Sequence, residues 1–350
     1  MRRLKTICII LLLSSCLDEI ILNPEMGETI LVVDGYIDTQ SSIHEVRLSS
    51  TSTLRGVEDK LLIQDAQVTV ESESGEIFTL TESLQGVFKS DTNEIVAKTG
   101  ESYKLNILLS NGERYESSFE SIPEPITITS GYAELVERTL IDENLIETKK
   151  MFHDVFVELE NSNESHFFIV ESIGWVEVKI RYESPGLVPP PPPGPTTCWQ
   201  LRNPINDQVL PIGSNEKVSS DTYSLNAISV PVDVRGQYVA ILNVQSMSQS
   251  SFLFWQKVED QLKRSGSIFD RELAPVIGNI RGVNNENRVL GYFHTYASSS
   301  IEVCFDRSDV LIINNTPIVN FPPLSDNQPV FCTEVWAPAT FDDQSEIFCK

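Results

Sequence analysis

Positive charge is the first thing this 350-residue sequence lacks: 26 lysines and arginines stand against 50 aspartates and glutamates, a formal net charge of −24. A surface of that sign repels nucleic acid and anionic lipid, and no stretch supplies the basic stripe that contacts phosphates, so no nucleic-acid partner is expected. Histidine is scarcer, with only His44, His153, His166 and His294. His44-Glu45-Val46-Arg47-Leu48 lacks the second histidine of a zinc-protease helix. His166 and His294 sit in strand patterns beside aromatics, as structural imidazoles do. There is no Gly-x-Ser-x-Gly elbow and no glycine-rich phosphate loop. Carboxylate pairs such as Asp342-Asp343, or Glu124 with Asp154, are common by chance in so acidic a chain, and Asn284 to Asn287 read as a polar turn before they read as a calcium loop. The chain is therefore expected to be non-enzymatic, with no catalytic residue, no metal ligand set and no cofactor.

What is present begins at the N-terminus. Arg2, Arg3 and Lys5 precede an unbroken apolar run, Ile7 to Leu13, closed by Ser14-Ser15-Cys16. The run is far shorter than the roughly 20 residues that span a bilayer, and a basic start before a short apolar segment is the layout of an export signal. The ending resembles the bacterial lipobox, which implies that residues 1–15 are removed and that Cys16 carries a diacylglycerol and an acylated amine. Two or three acyl chains anchor stably where one does not. Loss of residues 1–15 takes the formal charge from −24 to −27, because Arg2, Arg3 and Lys5 go with it. Leu17-Asp18-Glu19 resembles the surface-export signal of Bacteroidota lipoproteins, which implies an outer-membrane, lipid-anchored, cell-surface location. Residues 16–28 read as a lipidated tether.

With Cys8 in the leader and Cys16 at the anchor, four cysteines remain: Cys198, Cys304, Cys332 and Cys349. In an exported chain four cysteines fit two disulfides, with three possible pairings. Zinc is the poorer reading, since no Cys-x-x-Cys spacing occurs.

From Ile30 onward the pattern is of strands. Ile30 to Ile37, His44 to Leu48, Ala66 to Glu71, Ile77 to Leu80, Gly86 to Phe88, Tyr103 to Ile107 and Arg114 to Phe119 are short, β-branched or alternating. Asn111-Gly112 reads as a two-residue hairpin turn. Such a density of short strands implies a sandwich over residues 29–122. Val33-Asp34-Gly35, Asp65 to Val70, Gly86-Val87-Phe88, Gly100, Tyr103 and Leu105 resemble the carboxypeptidase-regulatory or transthyretin-like sandwich, a common spacer and adaptor; an unrelated immunoglobulin-like sandwich is the alternative.

Pro123-Glu124-Pro125 makes a stiff break, after which residues 125–350 read as a larger, mainly-β domain. Strands are expected at Ile126 to Thr129, Val155 to Leu159, His166 to Val170, Trp175 to Tyr182 and Tyr238 to Val244, with a poorly patterned acidic stretch up to Lys150. Residues 188–195, which include Pro189 to Pro193, read as a rigid polyproline protrusion, with a recognition segment for an aromatic groove as the alternative. One amphipathic helix is expected over 250–264, its stripe formed by Phe252, Trp255, Val258 and Leu262 and docked on the β-structure. The fold class is thus mainly β: an N-terminal β-sandwich plus a larger mainly-β domain with one docked helix.

Three segments follow that helix: Ser265 to Asp270, Gly278-Asn279-Ile280 and Leu290-Gly291-Tyr292-Phe293. Their succession resembles the domain-of-unknown-function 4249 family. That resemblance implies a Bacteroidota outer-membrane lipoprotein, encoded beside TonB-dependent receptors of the SusC-like type and acting as an accessory or ligand-capturing partner of such a barrel. Two other readings stay open: a structural subunit of an outer-membrane assembly or secretion complex, and a carboxylate-dependent surface hydrolase.

Overall fold

The computed structural model describes residues 29–51, 61–141, 146–162, 164–179, 197–201, 210–216, 218–232, 236–263 and 276–307. The lipidation site Cys16, the proline-rich loop 188–195, Cys332 and Cys349 lie outside the described residues. In chain order the elements are β1 (Leu31–Asp38), β2 (Glu45–Ser50), β3 (Leu61–Leu62), β4 (Gln67–Ser72), β5 (Ile77–Leu84), β6 (Val87–Lys89), β7 (Ser102–Leu108), β8 (Arg114–Ser117) and β9 (Glu120–Ser121). They continue as β10 (Ile128–Ile141), β11 (Glu147–Glu160), β12 (Phe167–Lys179), β13 (Thr197–Leu201), β14 (Ile212–Ser214), β15 (Thr222–Pro231), β16 (Gln237–Met247), α1 (Gln249–Leu262), β17 (Ile280–Gly282) and β18 (Val289–Asp306). The architecture is mainly β with one helix.

One curled sheet runs β13-β12-β16-β18-β1-β2-β6-β5-β4-β7-β8-β17, with β3, β9 and β14 paired at its margins. A second sheet, β10-β11-β15, is separate. The curl lets the first stretch of chain fold onto itself as a sandwich. Alternation decides which residues go inside: Val68 and Val70 on β4 and Tyr103, Leu105 and Ile107 on β7 are buried, while their neighbours face out. Each fully buried aliphatic of this kind contributes about 1.5–3 kcal/mol.

This first core is not closed by residues 29–122 alone. Strand β1 pairs in parallel with β18, Leu31 opposite Val289 through Asp38 opposite Tyr296. At the other end β17 pairs with β8, Ile280 opposite Ser117. Ile280, Val289, Phe293 and Ala297 accordingly belong to the same core as Val33, Leu48 and Phe88. The chain then passes from one core to the next over four residues: Ile122 is buried in the first, Ile126 in the second.

The second core lies between β16–β18 and the separate sheet, with Val155, Val157 and Leu159 of β11 and Ile228 and Val230 of β15 facing Tyr238, Leu242 and Val303. Strand β18 spans both cores, its first half contributing Phe293 and Ala297, its second half Val303. On the opposite face of β12, β16 and β18 sits α1. Ser248 caps it by accepting from the Ser251 N–H. Phe252 packs on Phe167 at 5.0 Å, and Trp255 Nε1 donates to the Tyr296 hydroxyl at 3.3 Å.

Several expectations change in detail. The Asn111-Gly112 hairpin forms, but as a three-residue loop: Leu109 and Glu113 still pair, the Gly112 N–H donates to the Leu109 carbonyl, and Gly112 takes φ +88°. The helix docks by its N-terminal half, where Ser251 and Phe252 are buried, whereas Leu262, expected on the buried stripe, is 55% exposed. The acidic stretch read as unpatterned is two 14-residue strands, β10 and β11, in register from Ser130 opposite Glu158 to Ile141 opposite Glu147.

The expected disulfide framework is corrected. Among the described residues no cysteine sulfurs lie within 4.5 Å of each other. Cys198 on β13 and Cys304 on β18 are three strands apart across β13-β12-β16-β18, about 14 Å at roughly 4.8 Å per strand. A bridge needs Cα atoms within about 7 Å, so that pairing is closed by topology. Cys304 is nonetheless engaged rather than a free thiol.

Candidate functional site

The densest polar constellation lies where the two cores meet, around Glu120. The carboxylate is buried at 4% exposure. It accepts from Ser248 Oγ (2.7 Å), Tyr292 OH (2.8 Å), Ser250 Oγ (3.1 Å), Asn279 Nδ2 (3.2 Å) and Ser118 Oγ (3.2 Å). Each donor comes from a different structural decision. Ser248 and Ser250 are present because the helix starts there, and an anion beside a helix N-terminus is favourably placed. Asn279 brackets β18 by accepting from the Phe293 N–H and donating to the Phe293 carbonyl, both at 2.9 Å. Burial pushes the Tyr292 phenol well above its ordinary value, so it donates throughout the accessible pH range.

Next to Glu120 a stack of rings runs along β18. His294 lies 4.5 Å from Tyr292, 5.5 Å from Tyr296 and 5.1 Å from Trp255 of α1, near-parallel to Trp255 at 13°. Burial pushes the imidazole down to about 3, so it is neutral, and its Nδ1 meets the Ser251 hydroxyl at 2.6 Å. A serine within hydrogen-bond reach of a histidine is the first half of a nucleophilic arrangement. Here both members are buried, Ser251 at 1% and His294 at 4% exposure, and neither faces a cleft wall. The contact fastens α1 to the sheet.

An open cleft of about 280 Å³ lies outside this cluster, walled by Glu120, Ser250, Leu253, Phe254, Lys257 and Tyr292. A second, of about 380 Å³, lies at the passage between the two cores, where Glu124, Glu160 and Glu164 surround His166. His166 bonds Ser162 Oγ at 2.6 Å. Among the described residues no group of three histidine, cysteine, aspartate or glutamate side chains is placed to hold a metal. No described helix is long and apolar enough to cross a membrane.

The residues singled out from sequence are scattered. The His44 ring bonds the Asp38 N–H and the Ile95 carbonyl and is structural. His153 packs tilted against Phe305 at 4.6 Å and is pushed down to about 4 by burial, then by the Arg307 guanidinium, with Asp154 acting in the opposite direction. Asp154 is not with Glu124: Arg138 grips it through two contacts of 2.7 and 2.8 Å, and Ser229 Oγ donates to it at 2.7 Å. The Asn284 to Asn287 turn is locked onto the β7–β8 hairpin, Asn284 through Gly112 and Arg114 and Asn287 through Glu113.

Gly278-Asn279-Ile280 and Gly291-Tyr292-Phe293 now have a physical explanation. A Cβ on Gly278 would fall 1.6 Å from the Gly291 carbonyl oxygen, and one on Gly291 would fall 1.8 Å from that of Val33. The two segments, with Glu120, form the junction of the fold. Over residues 18–302 the sequence matches the family described as Domain of unknown function (DUF4249). The chain belongs to the DUF4249 family. The matched span takes in the first core, the second core up to residue 302, Glu120, α1 and most of β18, so the junction is part of the DUF4249 domain itself. No curated protein matches this DUF4249 chain. A solved structure titled putative membrane anchored protein, from Corynebacterium diphtheriae, aligns at 11% identity and a TM-score of 0.17, covering 62% of this chain and about half (54%) of its own. So slight a likeness carries no argument.

Proposed function

We propose that this DUF4249 protein is a non-enzymatic lipoprotein, held at the outer-membrane surface through Cys16, that serves a TonB-dependent transporter as an accessory or ligand-capturing subunit. The observation that carries the reading is the Arg2 to Cys16 segment, basic, then apolar, then small residues before a cysteine, standing ahead of the family domain. The site geometry is in keeping with it. Glu120 is saturated by five donors and the Ser251–His294 pair is buried, so the best-built polar cluster serves architecture. Two open clefts with mixed polar and apolar walls leave room for capture of a ligand or a partner's loop.

The test is a mild-detergent pulldown from the native outer membrane with a tag after Lys350, followed by mass spectrometry. A TonB-dependent barrel recovered near stoichiometry supports the proposal. Recovery of a different, constitutive outer-membrane complex transfers it to the structural-subunit reading. In parallel, Cys16→Ser should abolish incorporation of labelled fatty acid and release the chain from membranes; retention of the label would remove the anchor.

A further inference from the structure

The β10–β11 ribbon outruns the sheet it belongs to. Strand β15 pairs with β11 only from Glu160 to Phe152, whereas β10 and β11 stay paired to Ile141 opposite Glu147. The outer third of the ribbon, from Glu137 opposite Met151 to Ile141 opposite Glu147, is thus a two-stranded arm, and such a hairpin is marginal in water without further cover. Ile141 and Ile146 at its end are 62% and 56% exposed, and Leu135, just inside the three-stranded part, is 46% exposed. Among the described residues β10 pairs with nothing but β11. An edge of 14 residues with no proline and a single irregularity, between Ile128 and Ser130, lacks the length limit, proline and repeated bulges that keep edges from pairing.

We infer that β10 is the seam of a homodimer, pairing antiparallel with β10 of a second copy about a two-fold axis at Val136. The sequence of the strand is self-complementary in that register. Val136 faces itself. Glu134 lies opposite Arg138 of the second copy and Tyr132 opposite Leu140, on one face of the joined sheet; each contact occurs twice. Opposite-charge and aromatic–aliphatic cross-strand pairs are the favourable kinds. On the other face Ile141 lies opposite Gly131 of the second copy. Gly131 has no side chain to clash with that isoleucine, and the Val303 and Ile301 side chains already fill the space where its Cβ would stand. Shifting the register by one residue would set Glu134 against Glu137 in one direction and against Thr139 in the other, so either shift loses the Glu134–Arg138 pair. Arg138 already holds Asp154, and Glu134 adds a second carboxylate to it without displacing the first. The seam joins two three-stranded sheets into one of six strands.

The experiment uses the full chain in mild detergent at about 0.15 M salt, where charge repulsion beyond roughly 8 Å is screened. Residues facing each other across an antiparallel pair have Cα atoms about 4.5–5.5 Å apart, within reach of a disulfide. Val136→Cys should therefore give, on mild oxidation, a covalent dimer of twice the monomer mass beyond anything the unmodified chain forms. Thr139→Cys should not, because its two copies would be about 20 Å apart. Val136→Lys, which sets two ammonium groups on the axis, should sediment as a folded monomer where the unmodified chain sediments as a dimer. A monomeric unmodified chain, or equal cross-linking at positions 136 and 139, would overturn the seam; β10 bound instead to another protein's strand would appear as the first of these.

Discussion

The Tyr292 hydroxyl donates a 2.8 Å hydrogen bond to Glu120, joining the end of the first β-layer to the last described strand. Glu120 takes four other donors from α1, the β9 approach and the segment before β17. Glu120→Ala would leave the buried Tyr292 hydroxyl, and the half-buried Ser248 hydroxyl and Asn279 amide, without their acceptor. Each such loss costs about 1–3 kcal/mol unless water enters, so an overall destabilisation of about 2–4 kcal/mol is expected. Urea unfolding reads it as a lower midpoint at unchanged slope. Glu120→Gln keeps the shape and loses the charge, so about half that effect is expected. Exposed Glu124→Ala should move the midpoint by less than about 0.5 kcal/mol. Equal midpoints for Glu120→Ala and Glu124→Ala would remove Glu120 from this role.

The first core borrows Ile280, Val289, Phe293 and Ala297 from more than 150 residues downstream of its own last strand. A fragment of residues 29–122 would expose the β18-facing edge of β1 and open that core. It should show a non-cooperative thermal transition and poor amide dispersion by NMR. The chain through residue 307 should unfold cooperatively. A well-dispersed spectrum from the 29–122 fragment would make the borrowed strands an addition rather than a requirement.

This borrowing marks the limit of what sequence could reveal. The alternation at Val68-Thr69-Val70 and at Tyr103 to Ile107 is legible because those strands are buried on one face and wet on the other. The parallel pairing of β1 with β18 has no local signature, since it is fixed by residues some 258 positions apart. Strand β10 was illegible for a different reason: its arm alternates only between half-buried and exposed positions, and apolar residues stand on both, Val136 and Leu140 on one face and Leu135 and Ile141 on the other. At the junction the glycines and Asn279 were visible as a turn. Glu120 was not visible as its hub, because a single acid among 50 acidic residues carries no pattern.

Gly291 has φ +97°, and a Cβ there would overlap the Val33 carbonyl oxygen at 1.8 Å. Gly291→Ala should therefore break the β1–β18 ladder and prevent accumulation of folded protein. Gly100 has φ +81°, but a Cβ there would meet nothing within 4 Å. Gly100→Ala should cost only the backbone term, about 1 kcal/mol. Thermal melts of the two variants separate steric overlap from left-handed strain; equal losses would mean that β18 does not approach β1 this closely.

Three buried histidines give the acid response a predictable sign. His153 is pushed down to about 4 and His294 to about 3, and His44 is lowered, in each case chiefly by burial. A folded-state value below the unfolded 6.5 means that the unfolded chain binds more protons, so stability is present above about pH 6.5 and lost as pH falls towards those values. Glu45, Glu71 and Glu113 are also lowered, and their contribution is lost only below about 4.5. Glu171 works in the opposite sense: burial, Asp38 and Asp34 raise it, so its protonation on the way down favours the fold. Between about pH 6.5 and 5 the histidines dominate, and a loss of about 1–2 kcal/mol each is expected from His153 and His294 after allowance for partial burial, with His44 acting in the same direction. Replacing His153 and His294 together by Gln should lower stability at pH 7 yet flatten its slope over that window in urea titrations. A double variant that keeps the full slope would assign the acid response to groups other than these two.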